Sequence, residues 1–250
     1  MQAILSDIHA NIEALEAILA DIEKHSVWRV ICLGDVIGYG PNPKECIDLA
    51  KKFNVTILGN HEEALLVQLQ QAIFNVKARD SIDWTRAQLD MSTNGRGENA
   101  SRWDFLGSLK ESYQTDDMLF VHGTPTDPIG DYLYPRDIQR PDKLRPMFEV
   151  IGHICFVGHT HVPGIWMQDM VYLTVQEVNS HYWFTRKKTI VNVGSVGQPR
   201  DGDNRACYVL LHDGHIEFRK VPYPVEKTVS KIRKVGDLDP FLAERLLQGR

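Results

Sequence analysis

The sequence lacks the features that mark membrane and secreted proteins. No stretch reaches the ~20 consecutive apolar residues that a membrane-spanning helix needs. The first residues, Met1 to Asp7, contain no basic segment of the kind that opens a secretory signal. We therefore expect a protein that neither spans nor binds a membrane and that is not secreted.

Cysteine is scarce, and basic residues are not in excess. The chain has 4 cysteines in 250 residues, and none of them forms a Cys-x-x-Cys pair. We interpret them as reduced core thiols of a cytoplasmic protein; they are Cys32, Cys46, Cys155 and Cys207. The 28 basic and 33 acidic side chains leave a net charge of −5, and no basic stripe is present, which argues against nucleic acid as a partner.

What the chain does contain is typical of a folded globular protein. Hydrophobic residues make up 43% and charged residues 24%, both close to the globular average. Domains beyond roughly 250–300 residues tend to split, so we expect residues 1–250 to form a single domain. No sequence feature indicates the oligomeric state.

Short apolar segments alternate with helical patterns at the start of the chain. Behind Asn11, a residue suited to cap a helix, apolar residues recur at helical spacing over 12–22. A second helical pattern covers 44–53. The predicted strands around these helices are 2–6, 28–33 and 55–58. This alternation predicts βαβ units and a mostly parallel sheet.

The rest of the chain predicts a helical insertion followed by further strands. Residues 62–110 have helical spacing, interrupted by a polar stretch at 92–97, and we interpret them as an insertion over one face of the domain. The later β-rich texture predicts a second, more antiparallel sheet in the second half of the chain, followed by two closing helices at 225–235 and 239–247. The further predicted strands are 118–121, 154–157, 171–175, 181–185, 189–193 and a hairpin of 206–211 with 215–220 that turns at Asp213-Gly214.

Five predicted strands end in aspartate, asparagine or histidine. In open α/β sheets, ligands bind outside the carboxyl ends of the strands, so these side chains should converge on one site. Imidazole and carboxylate groups together, without thiolates, are typical ligands of Zn²⁺, Mn²⁺ and Fe in hydrolytic sites. The residues at the five strand ends are Asp7 with His9, Asp35, Asn60 with His61, His122, and His159 with His161.

The spacing of these residues adds to the prediction of a metal site. Asp7-x-His9 and His159-x-His161 have a period of two, which puts both side chains of a pair on the same side of an extended segment. Glycine precedes Asp35, Asn60 and His159, where a Cβ would crowd a sharp turn. Apart from His61, the strand ends offer seven candidate ligands, too many for one tetrahedral ion, and with Asp35 as a bridge they fit two ions.

In content and order, these motifs resemble those of the calcineurin-like metallophosphoesterases. Segments 35–43 and 192–203 look like the compact prokaryotic branch often labelled predicted phosphodiesterases, so the resemblance covers nearly the whole chain. The motifs that carry it are Ser6-Asp7-Ile8-His9, Gly34-Asp35, Gly59-Asn60-His61-Glu62, Val121-His122-Gly123 and Gly158-His159-Thr160-His161.

The resemblance implies a fold, a metal centre and a reaction. The fold is an α/β four-layer αββα sandwich of two mixed sheets. The implied cofactors are two divalent ions, Mn²⁺ in the first place, with Fe, Zn, Ni, Co or Mg as alternatives. A hydroxide activated by both ions would hydrolyse a phosphomonoester or a phosphodiester. The implied ligands are Asp7, His9, Asp35 and His161 for one ion, and Asp35, Asn60, His122 and His159 for the other.

Other positions carry a catalytic role or narrow the substrate. His61 matches the family's histidine that contacts the phosphoryl oxygens or protonates the leaving group. Phosphoprotein phosphatases carry aspartate and arginine where this chain has residues 38–40, so we expect a small or nucleotide-like substrate. Asn60 and Tyr39 are candidate substrate contacts, and Tyr39 either stacks on a base or fills the loop. Arg200 either meets a phosphate or is a loop charge paired with Asp201.

Two alternatives remain open from the sequence. Glu62 either orients a ligand histidine or begins a helix as an acid suited to the helix dipole, and we favour the helix role. The alternative to an enzyme is a catalytically silent member of the fold that binds a protein partner. Such a scaffold should have lost ligands, whereas every motif position is filled here.

Overall fold

The computed structural model describes residues 1–67, 74–92, 96–115 and 117–250. In these residues the chain forms two sheets of six strands each. The strands are β1 (Gln2–Leu5), β2 (Arg29–Cys32), β3 (Val55–Thr56), β4 (Ser112–Gln114), β5 (Met118–Val121), β6 (Ile154–Val157), β7 (Gly164–Met167), β8 (Val171–Thr174), β9 (His181–Trp183), β10 (Thr189–Asn192), β11 (Ala206–Leu211) and β12 (His215–Val221).

Helices flank the sheets. Asn11 caps the first of them as predicted, since its side-chain oxygen accepts a hydrogen bond from the amide of Ala14 at 3.2 Å. A short 3₁₀ helix covers Pro135–Gln139. The α-helices are α1 (Ile12–Ile22), α2 (Pro43–Ala50), α3 (Asn60–Leu66), α4 (Val76–Gln88), α5 (Arg96–Ser108), α6 (Pro141–Val150), α7 (Val225–Lys234) and α8 (Phe241–Gln248).

Both sheets mix parallel and antiparallel pairs. The first has the order β3-β2-β1-β11-β12-β9, with β1 parallel to β2 and antiparallel to β11. The second has the order β4-β5-β6-β10-β7-β8, with β5, β6 and β10 parallel. The second half of the chain supplies most of the second sheet, as predicted, but β9, β11 and β12 join the first sheet. Each sheet has two parallel and three antiparallel pairs, so the predictions of a mostly parallel first sheet and a more antiparallel second sheet are wrong. Local patterns identify strands but not their partners, and the free edge of β1 takes the β11–β12 hairpin instead.

The layers are held by three apolar clusters. The first sheet packs face to face on the second, with Ile4 and Val209 of one meeting Phe156 and Val191 of the other. The outer face of the first sheet packs on helices that include α1 and α2, and the outer face of the second packs on α6. Helices, sheet, sheet and helices thus form the predicted four-layer αββα sandwich.

Most predicted elements are present, with a few differences. The predicted helical insertion at 62–110 corresponds to α3, α4 and α5, although residues 68–73 and 93–95 within it lie outside the described residues. The sequence patterns do not predict β4, β7 or α6. The reason is clearest for α6, because Pro146 inside the helix is a residue that normally interrupts one.

The cysteines agree with their interpretation from the sequence. All four cysteines are buried and free, which matches their interpretation as core thiols. Within the described ranges, we find no helix of the length and apolarity that crossing a bilayer demands.

Candidate metal centre

The first two candidate ligands lie in the loop that follows β1. Asp7 and His9 have φ values of 56° and 47°, and their amides bond to the carbonyls of Gly34 and Asp35 in the loop after β2. His159 and His161 are also left-handed, so the prediction of extended pairs is wrong. Such backbone strain costs about 1–3 kcal/mol per residue and typically clusters at functional sites.

The left-handed turns affect the two histidine-containing pairs differently. Asp7 and His9 face the same group of donors, whereas His159 and His161 face different groups. A left-handed turn changes the side-chain direction at each step, so a period of two no longer implies one direction.

A first cluster of donors forms around Asp7. The Nε2 atom of His161 lies 3.2 Å from Asp7 Oδ1 and 3.1 Å from the Nε2 atom of His9. His9 Nε2 is also 3.6 Å from Asp35 Oδ2. These side chains are at most 2% exposed, so the cluster is closed off from bulk water except through the cavity described below.

A second cluster forms around His122 and shares Asp35 with the first. His122 Nε2 lies 3.4 Å from Asp35 Oδ2, 2.9 Å from His159 Nδ1 and 2.9 Å from Asn60 Oδ1. The structure therefore brings together all seven candidate ligands, with a single oxygen of Asp35 between the two clusters. Their roles as ligands remain predictions.

The protonation of His9 and His161 suits a cation. The Nδ1 atoms of His9 and His161 lie 3.0 and 2.6 Å from the carbonyls of Ile37 and Gln198, so each Nδ1 carries the proton and donates it. Burial and neighbouring positive groups outweigh the carboxylates and lower the pKa of both imidazoles, which keeps them neutral. Two Nε2 lone pairs then face each other, an arrangement that a positive ion between them stabilises.

Buried polar atoms without a hydrogen-bond partner also suit bound cations. Asp7 Oδ1 and His159 Nε2 are buried, and no hydrogen-bond partner for either is found in the part of the chain that the structure describes. Buried polar atoms are normally satisfied, and each exception needs an explanation. Divalent ions bound to the clusters supply one, because carboxylate oxygens and imidazole nitrogens are their usual ligands.

The carboxylates and histidines of the clusters shift one another's pKa values. Burial opposes ionisation of Asp7 and Asp35, but the surrounding histidines outweigh it and hold the pKa of both carboxyl groups below the usual range. Burial likewise opposes protonation of His122, yet the Asp35 carboxylate raises its pKa to about 9. For His159, burial and the positive charge of His122 lower the pKa to about 3.

Glu62 supports the loop that carries Asp35. Its carboxylate is fully buried in the first turn of α3. It accepts hydrogen bonds from the amides of Asp35 at 2.8 Å, Gly59 at 3.1 Å and Ile37 at 3.1 Å. Burial and the nearby Asp35 carboxylate raise its pKa to about 7. The predicted helix role is confirmed, and Glu62 orients the backbone at Asp35 rather than a histidine.

His61 lies between the clusters and the solvent-facing cavity. Its Nε2 atom is 4.0 Å from Asp35 Oδ2, and its Nδ1 atom is buried without a partner. Burial lowers the pKa of the imidazole to about 4 despite the attraction of Asp35. Gly38, with φ +85°, makes room for this ring, because a Cβ there would lie 2.1 Å from His61 Nδ1.

A cavity of about 260 Å³ opens over the donor clusters. Its walls include Asn60, His61, Tyr39 and Arg200, the positions predicted for catalysis and substrate contact. The Tyr39 ring packs 4.7 Å from that of His9 and 4.6 Å from that of His61, centroid to centroid. It therefore lies against the ligands and also faces the cavity.

Arg200 faces the cavity rather than an acid. Its guanidinium donates to Gln198 Oε1 at 2.7 Å and lies 5.9 Å from the centroid of the Tyr39 ring. Asp201, the partner considered from sequence, bonds to Lys220 at 2.6 Å instead. The interpretation of Arg200 as a loop charge paired with Asp201 is therefore wrong.

Several residues around the cavity escaped the sequence patterns. Tyr132 stacks on His159 with ring centroids 3.8 Å apart, and Phe74 packs edge-on against His61 at 5.1 Å. Asn75 also lines the cavity. The one signal for Tyr132 was a second tyrosine two residues later in a polar loop, Tyr134, which stacks on it at 5.6 Å. Phe74 and Asn75 gave no signal, since they lie in a helical pattern distant from the motifs.

Comparison with known proteins gives consistent matches along the chain. A family model described as "Calcineurin-like phosphoesterase superfamily domain" matches residues 1–214. The uncharacterized protein MJ0912 of Methanocaldococcus jannaschii is 36% identical over 255 residues, covering 100% of this chain and 98% of that protein.

Solved structures are similar over the same length. A metallophosphoesterase from Sphaerobacter thermophilus is 33% identical, with a TM-score of 0.80 over 99% of this chain and 98% of that chain. The hypothetical protein PH1004 from Pyrococcus horikoshii has the same fold at 19% identity, with a TM-score of 0.77 over 100% of this chain and 98% of that one. Motifs, fold and matches agree, and the chain belongs to the calcineurin-like phosphoesterase superfamily.

Proposed function

We propose that this protein is a cytoplasmic, metal-dependent hydrolase of a small or nucleotide-like phosphomonoester or phosphodiester. The observation that carries the proposal is the pair of buried donor clusters that share Asp35 Oδ2 beneath the cavity. The carbonyl-bonded imidazoles and unpartnered atoms described above support metal binding at both clusters.

The residues that would hold the ions follow from the two clusters. Two bound divalent ions, with Mn²⁺ as the first candidate, would lower the pKa of a bound water and offset the charge of a phosphoryl group. The donors would be Asp7, His9, Asp35 and His161 at one ion, and Asp35, Asn60, His122 and His159 at the other.

We propose His61 as the group that acts on the substrate itself. Its ring borders the cavity, and its Nδ1 atom has no hydrogen-bond partner among the described residues. The amide of His61 donates to Asp35 Oδ1 at 2.9 Å, which fixes the backbone position of the ring relative to the clusters. We infer that the imidazole donates a hydrogen bond to a phosphoryl oxygen or to the leaving oxygen.

The cavity limits the substrate. Its volume of about 260 Å³ is just below the roughly 300–1,000 Å³ usual for small-molecule sites, which favours a small ester over a protein or a duplex. Tyr39 offers a ring face, Arg200 a positive charge and Asn60 an amide to the substrate. These contacts favour an aromatic or nucleotide-like group beside the reacting phosphate.

The experiment compares metal dependence on two chromogenic esters. Metal-free protein is assayed on bis(p-nitrophenyl) phosphate and p-nitrophenyl phosphate, with and without Mn²⁺, beside His61→Ala, Asp35→Asn and the control His181→Ala. His181 lies exposed in the edge strand β9. We expect turnover only with metal, loss of turnover in the first two variants, and no loss in the control.

The opposite result would point to the scaffold alternative. If the wild type binds metal ions yet hydrolyses neither chromogenic ester nor a panel of nucleotide esters, the hydrolase proposal is wrong. If the wild type does hydrolyse the esters, the one that is hydrolysed faster decides between a monoesterase and a diesterase.

A further inference from the structure

A second cavity of about 310 Å³ adjoins the one over the metal centre. Tyr39 and Asn75 line both cavities, so the two are separated by little more than these side chains. The second cavity extends toward α8, which contributes Phe241 and Arg245. Tyr39 and Asn75 therefore lie between the cavity over the donor clusters and the cavity that reaches α8.

Two arginines lie on either side of Tyr39. Arg200 lines the first cavity, and its buried Nε atom bonds to none of the residues that the structure describes. Arg245 lines the second cavity, where its guanidinium lies 5.6 Å from the Phe241 ring centroid and its Nε atom donates to the carbonyl of Arg250. Burial, and secondly the positive charge of Arg200, lower the pKa of Arg245 to about 10, so the two guanidinium groups repel each other.

Among the described residues, neither arginine pairs with an aspartate or glutamate side chain; Arg200 donates to Gln198 and Arg245 to the main-chain oxygen of Arg250. The nearby Lys77 differs in this respect, because its ammonium group pairs with Asp239 at 3.1 Å. Half-buried like charges without a counter-ion destabilise a fold, and arginine is the side chain best suited to bind phosphate through paired N–H donors. Two arginines without an aspartate or glutamate partner thus line the cavities on either side of Tyr39, beside a predicted phosphate site.

The packing of α8 keeps Arg245 at this place. Leu242 and Leu246 of α8 are buried with Val229 and Ile232 of α7 and with Trp84 of α4. Helix α8, packed on α7, therefore supplies a cationic side chain to the second cavity.

We propose that the substrate carries a second phosphate group, which Arg200 and Arg245 bind together beside Tyr39 while the reacting phosphate lies at the metal centre. This inference rests on the proposed function, and it narrows the substrate class to organic diphosphates and bisphosphates. The Phe241 ring offers an apolar contact to the group that follows the second phosphate.

The test measures the binding of two phosphonates that cannot be hydrolysed as esters. Methylenediphosphonate and methylphosphonate are titrated by calorimetry into the Mn²⁺-loaded wild type, Arg245→Gln, Arg245→Lys and Arg200→Gln. The control is Arg233→Gln, which removes the same charge from an exposed position in α7. Because both phosphonates meet the same metal ions, the change in their affinity ratio between variants isolates the second phosphate.

We expect the preference for the diphosphonate to fall by about tenfold in Arg245→Gln and Arg200→Gln, the effect of one hydrogen bond to a charged group. Arg245→Lys should retain part of the preference for the diphosphonate, and Arg233→Gln should retain all of it. An unchanged ratio in Arg245→Gln, with thermal unfolding as in the wild type, would overturn the inference.

This outcome is distinguishable from a failure of the proposed function. Turnover of bis(p-nitrophenyl) phosphate, which has one phosphorus atom, tests the hydrolase alone. If the wild type hydrolyses this ester but the affinity ratio is unchanged in Arg245→Gln, the hydrolase proposal stands and the second phosphate site is wrong. If the wild type hydrolyses no ester but the affinity ratio depends on the two arginines, the hydrolase proposal is wrong and the second phosphate site stands.

Discussion

The carboxylate of Glu62 holds the amide of Asp35 at 2.8 Å, so the residue shared by both donor clusters is positioned by a side chain from the next helix. The same carboxylate also bonds to the amides of Gly59 and Ile37. One buried acid thus ties the start of α3 to the loop after β2, and this loop presents Asp35 to both clusters.

This relationship predicts the effect of Glu62→Gln. The amide group of glutamine would face at least one backbone N–H donor, which leaves a buried donor unsatisfied. We expect a loss of about 1–3 kcal/mol in the free energy of unfolding. We also expect roughly tenfold weaker Mn²⁺ binding, as is usual when a group that orients a ligand is lost. Urea unfolding and calorimetry measure the two effects.

The adjacent Glu63→Gln is the matched control. Glu63 is only half-buried, and its side chain supports no loop amide in the described structure. Equal stability and equal metal affinity in the two variants would show that the Glu62 contacts do not position Asp35.

Gly38→Ala tests the placement of His61. The added Cβ would lie 2.1 Å from His61 Nδ1, so the ring must move away from its position beside the cavity. We expect at least a tenfold loss of kcat on the chromogenic ester, because misplacing a reacting group is costly. Gly214→Ala is the control, since its φ of +81° carries the same backbone cost of about 1 kcal/mol but nothing lies within 4 Å of the new Cβ. Equal kcat in the two variants would contradict the assignment.

The two histidines of Gly158-His159-Thr160-His161 should bind different ions. His159 lies with Asp35 and His122, and His161 lies with Asp7 and His9. We expect His159→Ala and His161→Ala each to weaken one of two Mn²⁺ binding steps in calorimetry and to leave the other nearly unchanged. The double variant should weaken both steps. If either single variant abolished both steps, the division into two sites would be wrong.

The sequence predicted which residues converge on one site but not how they are distributed between the two donor clusters. Asp7, His122 and His161 were identifiable because each follows an apolar strand, and strand ends of an α/β fold meet at one edge. The separation of His159 from His161 depends on the left-handed backbone at both residues, φ 66° and 62°, which no spacing rule encodes.

Long-range packing explains the remaining differences between sequence and structure. The β11–β12 hairpin joins β1 because a strand edge needs a partner, and nothing in residues 206–221 identifies that partner. Arg245 reaches the cavity only because α8 packs on α7 and α4. Such side chains come from parts of the chain that carry no motif, so a local pattern cannot assign them to the site.

Asp21 offers a test of stability that lies away from the metal centre. Its carboxylate, in the last turn of α1, accepts hydrogen bonds from the hydroxyl of Tyr208 at 3.0 Å and from Nε of Arg219 at 3.1 Å. Burial opposes ionisation of Asp21, but these bonds outweigh it and lower the pKa of the carboxyl group. A group whose pKa is lower in the folded state stabilises the fold above its unfolded pKa and loses that effect as the pH falls through the folded pKa.

We therefore expect Asp21→Asn to lower the free energy of unfolding by about 1–3 kcal/mol at pH 7. The difference from the wild type should stay constant down to the ordinary aspartate pKa of about 3.9 and shrink below it. Urea unfolding between pH 7 and pH 3 measures this, with Asp213→Asn in the exposed β11–β12 turn as the control. A difference that grows as the pH falls would contradict the role of the ionised carboxylate, because protonation removes the charge that Arg219 and Tyr208 stabilise.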